Sequence, residues 1–407
     1  MSVGNLVVGL ILIRNTTNTD YGAYVLILAA VLLFTQLQGG IIQPEMLLRL
    51  TRDDTADRAT LIGGLFRALR RAMFLGSAVA IAVVFVMGAA GLLAYGTALL
   101  AGTGVLAVAT SLLREFFRMA LMAHRRPTDV LKSDTLYVLM LIGGAWLSTF
   151  TPAPTAAATL SLALSATCSG ALAARYLWRH EPWDIHANAH IIREIAGRGT
   201  WSGIGSAISW TFTQGYGYVV AAVLNVGAVA GLNATRLILM PVGVLSNGVT
   251  LLMRPTAYIW LERHGPTKLI QRLLLAAAGL VCITIAYAVF VWLFRDWIFL
   301  EIFKKTFPDR DRLLLLWSVL FVLICIRDEA MLLLVARSQF RPLAALTLLC
   351  AIMALTSTYL LVRRIGAPGA LVGMLIGETV NAAGIFLLSA REIRRVRSAG
   401  NEVGPQN

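Results

Sequence analysis

The stretch Gly215 to Met253, GYGYVVAAVLNVGAVAGLNATRLILMPVGVLSNGVTLLM, decides the fold. As one helix it would be ~58 Å long, about twice the ~30 Å hydrocarbon thickness of a bilayer, so it has to turn. The turn falls at LNVG, Leu224 to Gly227. Beyond the turn the chain is apolar enough for a bilayer, yet it carries one uncompensated arginine, Arg236, near the middle of that run.

Outward from this stretch the same pattern recurs. The chain has 407 residues, 58% of them hydrophobic, and a mean hydropathy of +0.75, more apolar surface than a soluble core requires. Apolar segments run over 2–13, 21–43, 72–95, 98–121, 134–151, 155–177, 200–224, 227–252, 270–294, 313–335, 342–362 and 367–390. Strand-like alternation is missing, and a helix satisfies its backbone internally, so the reading is an all-α polytopic membrane protein of about 12 transmembrane helices. The first segment, Ser2 to Ile13, supplies only ~18 Å of helix against that core, and it lacks the basic start and cleavage site of a signal peptide.

The net charge of +14 does not point to nucleic acid, because the cations sit between apolar runs. Arg49, Arg52, Arg58, Arg67, Arg70 and Arg71, then Arg125, Arg126 and Lys132, then Arg175, Arg179, Arg193 and Arg198 alternate with connections at Tyr95 to Thr97 and Thr151 to Pro154 that have no Lys or Arg. By the positive-inside rule the basic connections and both termini are cytoplasmic. The outer connection RDWIFLEIFKKTFPDRDR, Arg295 to Arg312, is mixed in charge and aromatic, which predicts a short interfacial helix. The division read from this is an N-terminal lobe over 1–180, a cytoplasmic connection over 181–199, a C-terminal lobe over 200–390 and a basic tail over 391–407. Six helices per lobe is an even number, so the lobes form a parallel pseudo-repeat. Segments two and eight echo one another, each with a Gly at its outer start and a Pro before a basic connection.

Intramembrane polar groups mark candidate sites. On a helix, Asn225, Asn233, Gly243 and Asn247 fall within about 60° of Arg236. Pro241 is expected to kink that helix and free the Leu237 carbonyl. Arg236 with Asn233 reads as the lining of a wet cavity, against the alternative of an internal ion pair. Gln36 and Gln43 share a face in segment two, and Gln214 and Trp210 lie one turn apart in WSGIGSAISWTFTQGYGY, suited to a sugar or to helix packing alike. Arg114 and Arg118 share a face near the inner end of segment four, either as topology anchors or where an anionic head group would enter. Arg327, Asp328 and Glu329 lie together within CIRDEAM, with mutual charge pairing as the default, and Asp328 and Glu378 are candidates for ion coupling. His186 and His190 have the i,i+4 spacing of a zinc pair but no third ligand, so no metal or other cofactor is expected. Cys168, Cys282, Cys325 and Cys350 read as packing residues.

The stretches RNTTNTDYGAYVLILAAVLLFTQLQGG (Arg14 to Gly40), Arg114 to Asp134, Trp201 to Pro241 and GAPGALVGMLIGETV (Gly366 to Val380) resemble the polysaccharide, O-antigen type, flippase family of the multidrug/oligosaccharidyl-lipid/polysaccharide exporter superfamily. The resemblance implies two six-helix lobes around a central cavity that alternate between inward- and outward-facing forms. It implies movement of an undecaprenyl-diphosphate-linked oligosaccharide across a bacterial inner membrane, as a transporter and not an enzyme. Expected partners are that lipid-linked oligosaccharide, membrane lipids, and a polysaccharide polymerase and glycosyltransferases, with the chain itself a monomer. A cation-coupled multidrug antiporter and a membrane-embedded polysaccharide-assembly enzyme are the competing readings.

Overall fold

Why the long apolar stretch turns where it does is visible in its backbone. In the computed structural model, which describes residues 2–52, 55–180, 182–183, 191–337 and 339–402, helix α7 (Ile191–Val223) ends just before Asn225. The next helix, α8 (Val226–Leu293), starts on Asn225, whose Oδ1 accepts the Ala228 N–H at 2.8 Å. A short polar side chain thus satisfies one of the donors a helix start leaves open. Asn225 is therefore the cap of this helix, outside the stripe on which the sequence places it.

The chain divides into two compact units, Met1–Trp210 and Thr211–Asn407. The first holds α1 (Ser2–Asn15), α2 (Asn18–Arg52), α3 (Thr55–Ala89), α4 (Tyr95–Ala123), α5 (Pro127–Ser148), α6 (Pro154–His180) and the first part of α7. The second holds the rest of α7, α8, α9 (Arg295–Trp297) with a π-helical turn at Ile298–Ile302, α10 (Arg310–Ala336), α11 (Phe340–Ile365) and α12 (Ala367–Glu402). No strand occurs among the described residues. Nine stretches of helix are long and apolar enough to cross a membrane among these residues. With the short α1 and the more polar α7 and α10, the count read from the apolar segments is reached, and the protein is a multi-pass membrane protein. Residues 181 and 184–190 of the 181–199 connection, His186 and His190 included, lie outside the described residues, and 191–199 form the start of α7.

α8 is two membrane crossings joined end to end, over Val226–Arg254 and Thr267–Leu293. Helical dihedrals persist through Pro241, and the break comes at Gly265, with φ 74° and ψ 173°. That left-handed φ suits glycine, and Pro266 comes directly after it. Near Pro241 it is the Ile238 carbonyl, next to the one expected to be freed, that accepts from Tyr287 Oη at 2.9 Å.

With α8 counted as two helices, each unit packs in the same pattern. The fourth helix lies on the sixth (α4 on α6; α10 on α12), the fifth on the sixth (α5 on α6; α11 on α12), and the second and third on the fourth. The starts of the second helices are alike too: at α2, Thr17 Oγ1 accepts the Asp20 N–H at 3.1 Å and donates to Asp20 Oδ2 at 2.6 Å, a capping box. Asp20 Oδ1 takes the Thr155 hydroxyl of α6 at 2.8 Å.

The basic ends of the helices are cores of their own. α2 and α3 have 35 residues each, ~52 Å, and outrun a bilayer. Arg49, Arg67, Arg70 and Arg71 therefore ride on helical extensions and not in loops. One face of these extensions is buried: Met46, Leu50, Leu61, Leu65 and Leu69 pack with Phe116, Phe117, Leu177 and Trp183. In the second unit Ala257, Leu269 and Leu273 pack with Leu332 and Leu333. The Arg295–Arg312 connection is indeed a short helix, but Phe299, Phe303 and Phe307 are turned inward, their rings 5.2 and 6.2 Å apart, while Trp297 and Leu300 stay exposed.

α12 meets α11 through a ladder of glycines. A side chain at Gly369 would strike the Leu361 backbone, one at Gly373 the Thr358 backbone, and one at Gly377 would lie 2.6 Å from Ala354 Cβ and 3.1 Å from the Cys350 carbonyl. Four-residue spacing of small residues lets two helix backbones close to van der Waals contact where no hydrophobic effect drives them together. Cys325 and Cys350 are buried, as packing residues should be, whereas Cys168 and Cys282 lie on exposed helix faces.

Candidate functional site

Arg236 is half-buried in the second unit, and its surroundings are neutral. Its Nη1 donates to Gln214 Oε1 at 3.0 Å and points to Tyr216 Oη at 3.5 Å. Its Cζ stands 5.5 Å from the ring centre of Trp317. Trp317 is held by its Nε1–H bond to the Leu232 carbonyl, 3.0 Å away and one turn before Arg236, and its ring meets Tyr216 edge-on at 5.8 Å. Tyr216 and Trp317 are buried, so the wall of the cradle is rigid. No carboxylate pairs with Arg236 among the described residues, and its Nε and Nη2 make no hydrogen bond there. A guanidinium has five donors, so this one keeps most of its hydrogen-bonding capacity and its whole charge.

Of the residues picked from sequence, Gln214 joins Arg236 directly, and Asn233 lies one turn before it on α8, half-buried. Gln36 and Gln43 are exposed on α2, in the other unit. Trp210 is buried, and its Nε1–H is bonded to the Ala29 carbonyl at 3.0 Å, so it fastens α7 to α2 and is not open to a sugar. Tyr216 and Trp317 were missed. Tyr216 comes two residues after Gln214 in an aromatic run that reads as an interfacial belt, and nothing local in α10 places Trp317 beside α8.

The cations of α4 are paired within the protein. Arg114 is 5% exposed; it is bonded to Asp134, donates from Nε to Ser169 Oγ at 3.0 Å, and stacks its Cζ 3.9 Å from the centre of Tyr137. Arg118 bonds Glu115 at 2.9 Å and Asp134 at 3.3 Å. Arg114 therefore ties α4 to α5 and α6, and an anionic head group would reach it only by displacing Asp134.

In the second unit the fourth helix carries the matching device. Arg327 of α10 donates from Nη1 to both oxygens of Glu378 in α12, at 2.7 and 2.8 Å, and from Nε and Nη2 to Asp328 Oδ1 at 3.0 and 2.7 Å. Asp328 and Glu378 are thus both held by one guanidinium. Glu329, expected from sequence to pair along with its neighbours in CIRDEAM, has no such partner. It is 0% exposed; Oε1 accepts from Thr250 Oγ1 at 3.1 Å and Oε2 has no partner. A group of three or more potential metal ligands does not occur among the described residues.

No family model and no curated protein matches the chain's sequence. Its backbone is similar to an inward-facing multidrug resistance MATE family transporter of the MOP superfamily, with a TM-score of 0.78 at 16% identity over 98% of this chain and 95% of the other. It is similar to the lipid II flippase MurJ in an inward closed conformation, with a TM-score of 0.77 at 12% identity over 96% and 85%. A MOP superfamily transporter from Pyrococcus furiosus matches with a TM-score of 0.64 at 15% identity over 97% and 92%. At such identities the likeness defines the fold: a two-lobed, all-helical fold of the kind these transporters have.

Proposed function

We propose that the chain is a MOP-type transporter that moves an undecaprenyl-diphosphate-linked oligosaccharide from the cytoplasmic to the outer leaflet, by alternating access of its two lobes, for O-antigen or other cell-surface polysaccharide synthesis. The observation that carries the proposal is Arg236: a membrane-embedded guanidinium that holds its charge against an amide, a phenol and an indole, with donors to spare. A diphosphate is the ligand such a group is suited to, because charge-assisted and bidentate bonds to phosphate oxygens are the strong ones. Gln214 and Asn233 beside it offer amides for sugar hydroxyls. The likeness to a lipid II flippase supports the class of cargo. On this reading the protein lies in a bacterial inner membrane with both termini cytoplasmic, and works alongside a polymerase and glycosyltransferases.

A cation-coupled multidrug antiporter is the second reading, favoured by the likeness to a multidrug transporter and by the unpaired buried carboxyl of Glu329. Proteoliposomes separate the two. Labelled lipid-linked oligosaccharide placed in one leaflet should reach the other faster than in protein-free vesicles, and unlabelled lipid-linked sugar should compete. Sodium- or proton-driven dye efflux without any movement of the lipid-linked sugar would overturn the first reading.

A further inference from the structure

Glu329 stands out from every other carboxylate of the second unit. In α10 it lies two residues after Arg327, about 200° around the helix, so it faces away from the one nearby guanidinium. That guanidinium is in any case taken up by Asp328 and Glu378. Around Glu329 the other helices present neutral groups: Ser246 and Thr250 one turn apart on α8, and Thr284 further along α8, with Cys325 one turn earlier on α10. Thr284 Oγ1 lies 3.7 Å from Cys325 Sγ. The charged neighbour of Glu329 is Asp328 beside it on α10, also a carboxylate, whereas Glu378 on α12 and Cys350 on α11 lie by Arg327. Two of the three carboxylates thus share the one arginine, and the one left over is fully closed from the surface.

An ionised carboxylate in that position would be buried without a counter-charge, which no polar contact from one threonine offsets. The neutral acid fits. Oε1 then acts as the carbonyl oxygen that accepts the Thr250 hydroxyl, and Oε2, unpartnered among the described residues, carries the hydrogen. On the same face of α8, Ser246 is 4% exposed with its hydroxyl next to the Cys325 thiol, which leaves acceptor lone pairs in the closed space.

We infer that Glu329 is a proton-binding site inside the second unit, taking its proton from water and holding it at neutral pH, while Glu378 and Asp328 are bonded to Arg327. The inference rests on the chemistry of the closed carboxyl and stands apart from the transporter reading.

Infrared spectroscopy of the purified full-length protein tests it without a transport assay. At pH 7 the spectrum of the parent minus that of Glu329→Gln should contain the carbonyl stretching band of a protonated carboxyl, shifted by deuteration. The band should survive in Glu378→Gln and be the same in sodium and choline buffers. Glu329→Asp, which keeps the acid, should move the band without removing it, which guards against loss through misfolding. No band at pH 7, or a band removed by Glu378→Gln and left by Glu329→Gln, overturns the inference. A band seen in choline and absent in sodium also overturns it, because the occupant would then be an alkali cation.

Discussion

Arg236 and Arg114 are both arginines inside membrane-crossing helices, and their surroundings give them opposite fates. Arg114 is enclosed by Asp134, Ser169 and Tyr137. Leaving it unpaired is costly, so Asp134→Asn should destabilise the protein by about 3 kcal/mol, read as a lowered thermal midpoint in detergent with little effect on residual transport per folded molecule. Arg236 is tied only to neutral groups, and its removal leaves no buried charge behind. Arg236→Ala should therefore keep membrane abundance while lowering lipid-linked oligosaccharide transport by more than about tenfold, with Arg236→Lys partly active because a point charge replaces a fork. Full transport by the Ala variant, measured in the same proteoliposomes, would remove Arg236 from the substrate path.

Among elements, the helices themselves were legible and their partners were not. Apolar runs located the helices, most of them of membrane length, and a run too long for one crossing located the turn at Asn225, because both depend only on rise per residue. The pairing of Arg114 with Asp134, or of Arg327 with Glu378, depends on which helices pack, which no local pattern carries. Trp210 shows the same limit: its position was found, but the Ala29 carbonyl that holds it lies on another helix. Glu329 was within reach, since its angle from Arg327 is set by helical periodicity alone. The α12 glycine ladder is where packing is most demanding. Gly373→Ala would place a methyl against the Thr358 backbone, and overpacking of that kind costs about 1–3 kcal/mol. The same change at Gly279, which has open space around it, should be close to neutral; thermal unfolding of the two variants side by side checks the contrast.

For the whole molecule, each unit repeats one packing pattern within itself, and the alternation of basic and uncharged connections supports the proposed topology through the positive-inside rule. In a background without the native cysteines, a cysteine at Thr97 or Thr151 should react with a membrane-impermeant maleimide added to intact cells. One at Arg126 or Gln339 should react only after the membrane is opened. The reverse pattern would invert the proposed topology.

The last helix also sets a condition on biogenesis. α12 brings both the glycines that lock onto α11 and the Glu378 carboxylate that Arg327 waits for. Until the ribosome has delivered it, α10 sits in the bilayer with a guanidinium held only by its own neighbour, Asp328. Completion of the second unit is therefore postponed to the end of synthesis, and a chain cut after α11 carries an unfinished charge pair that membrane quality control can recognise and degrade.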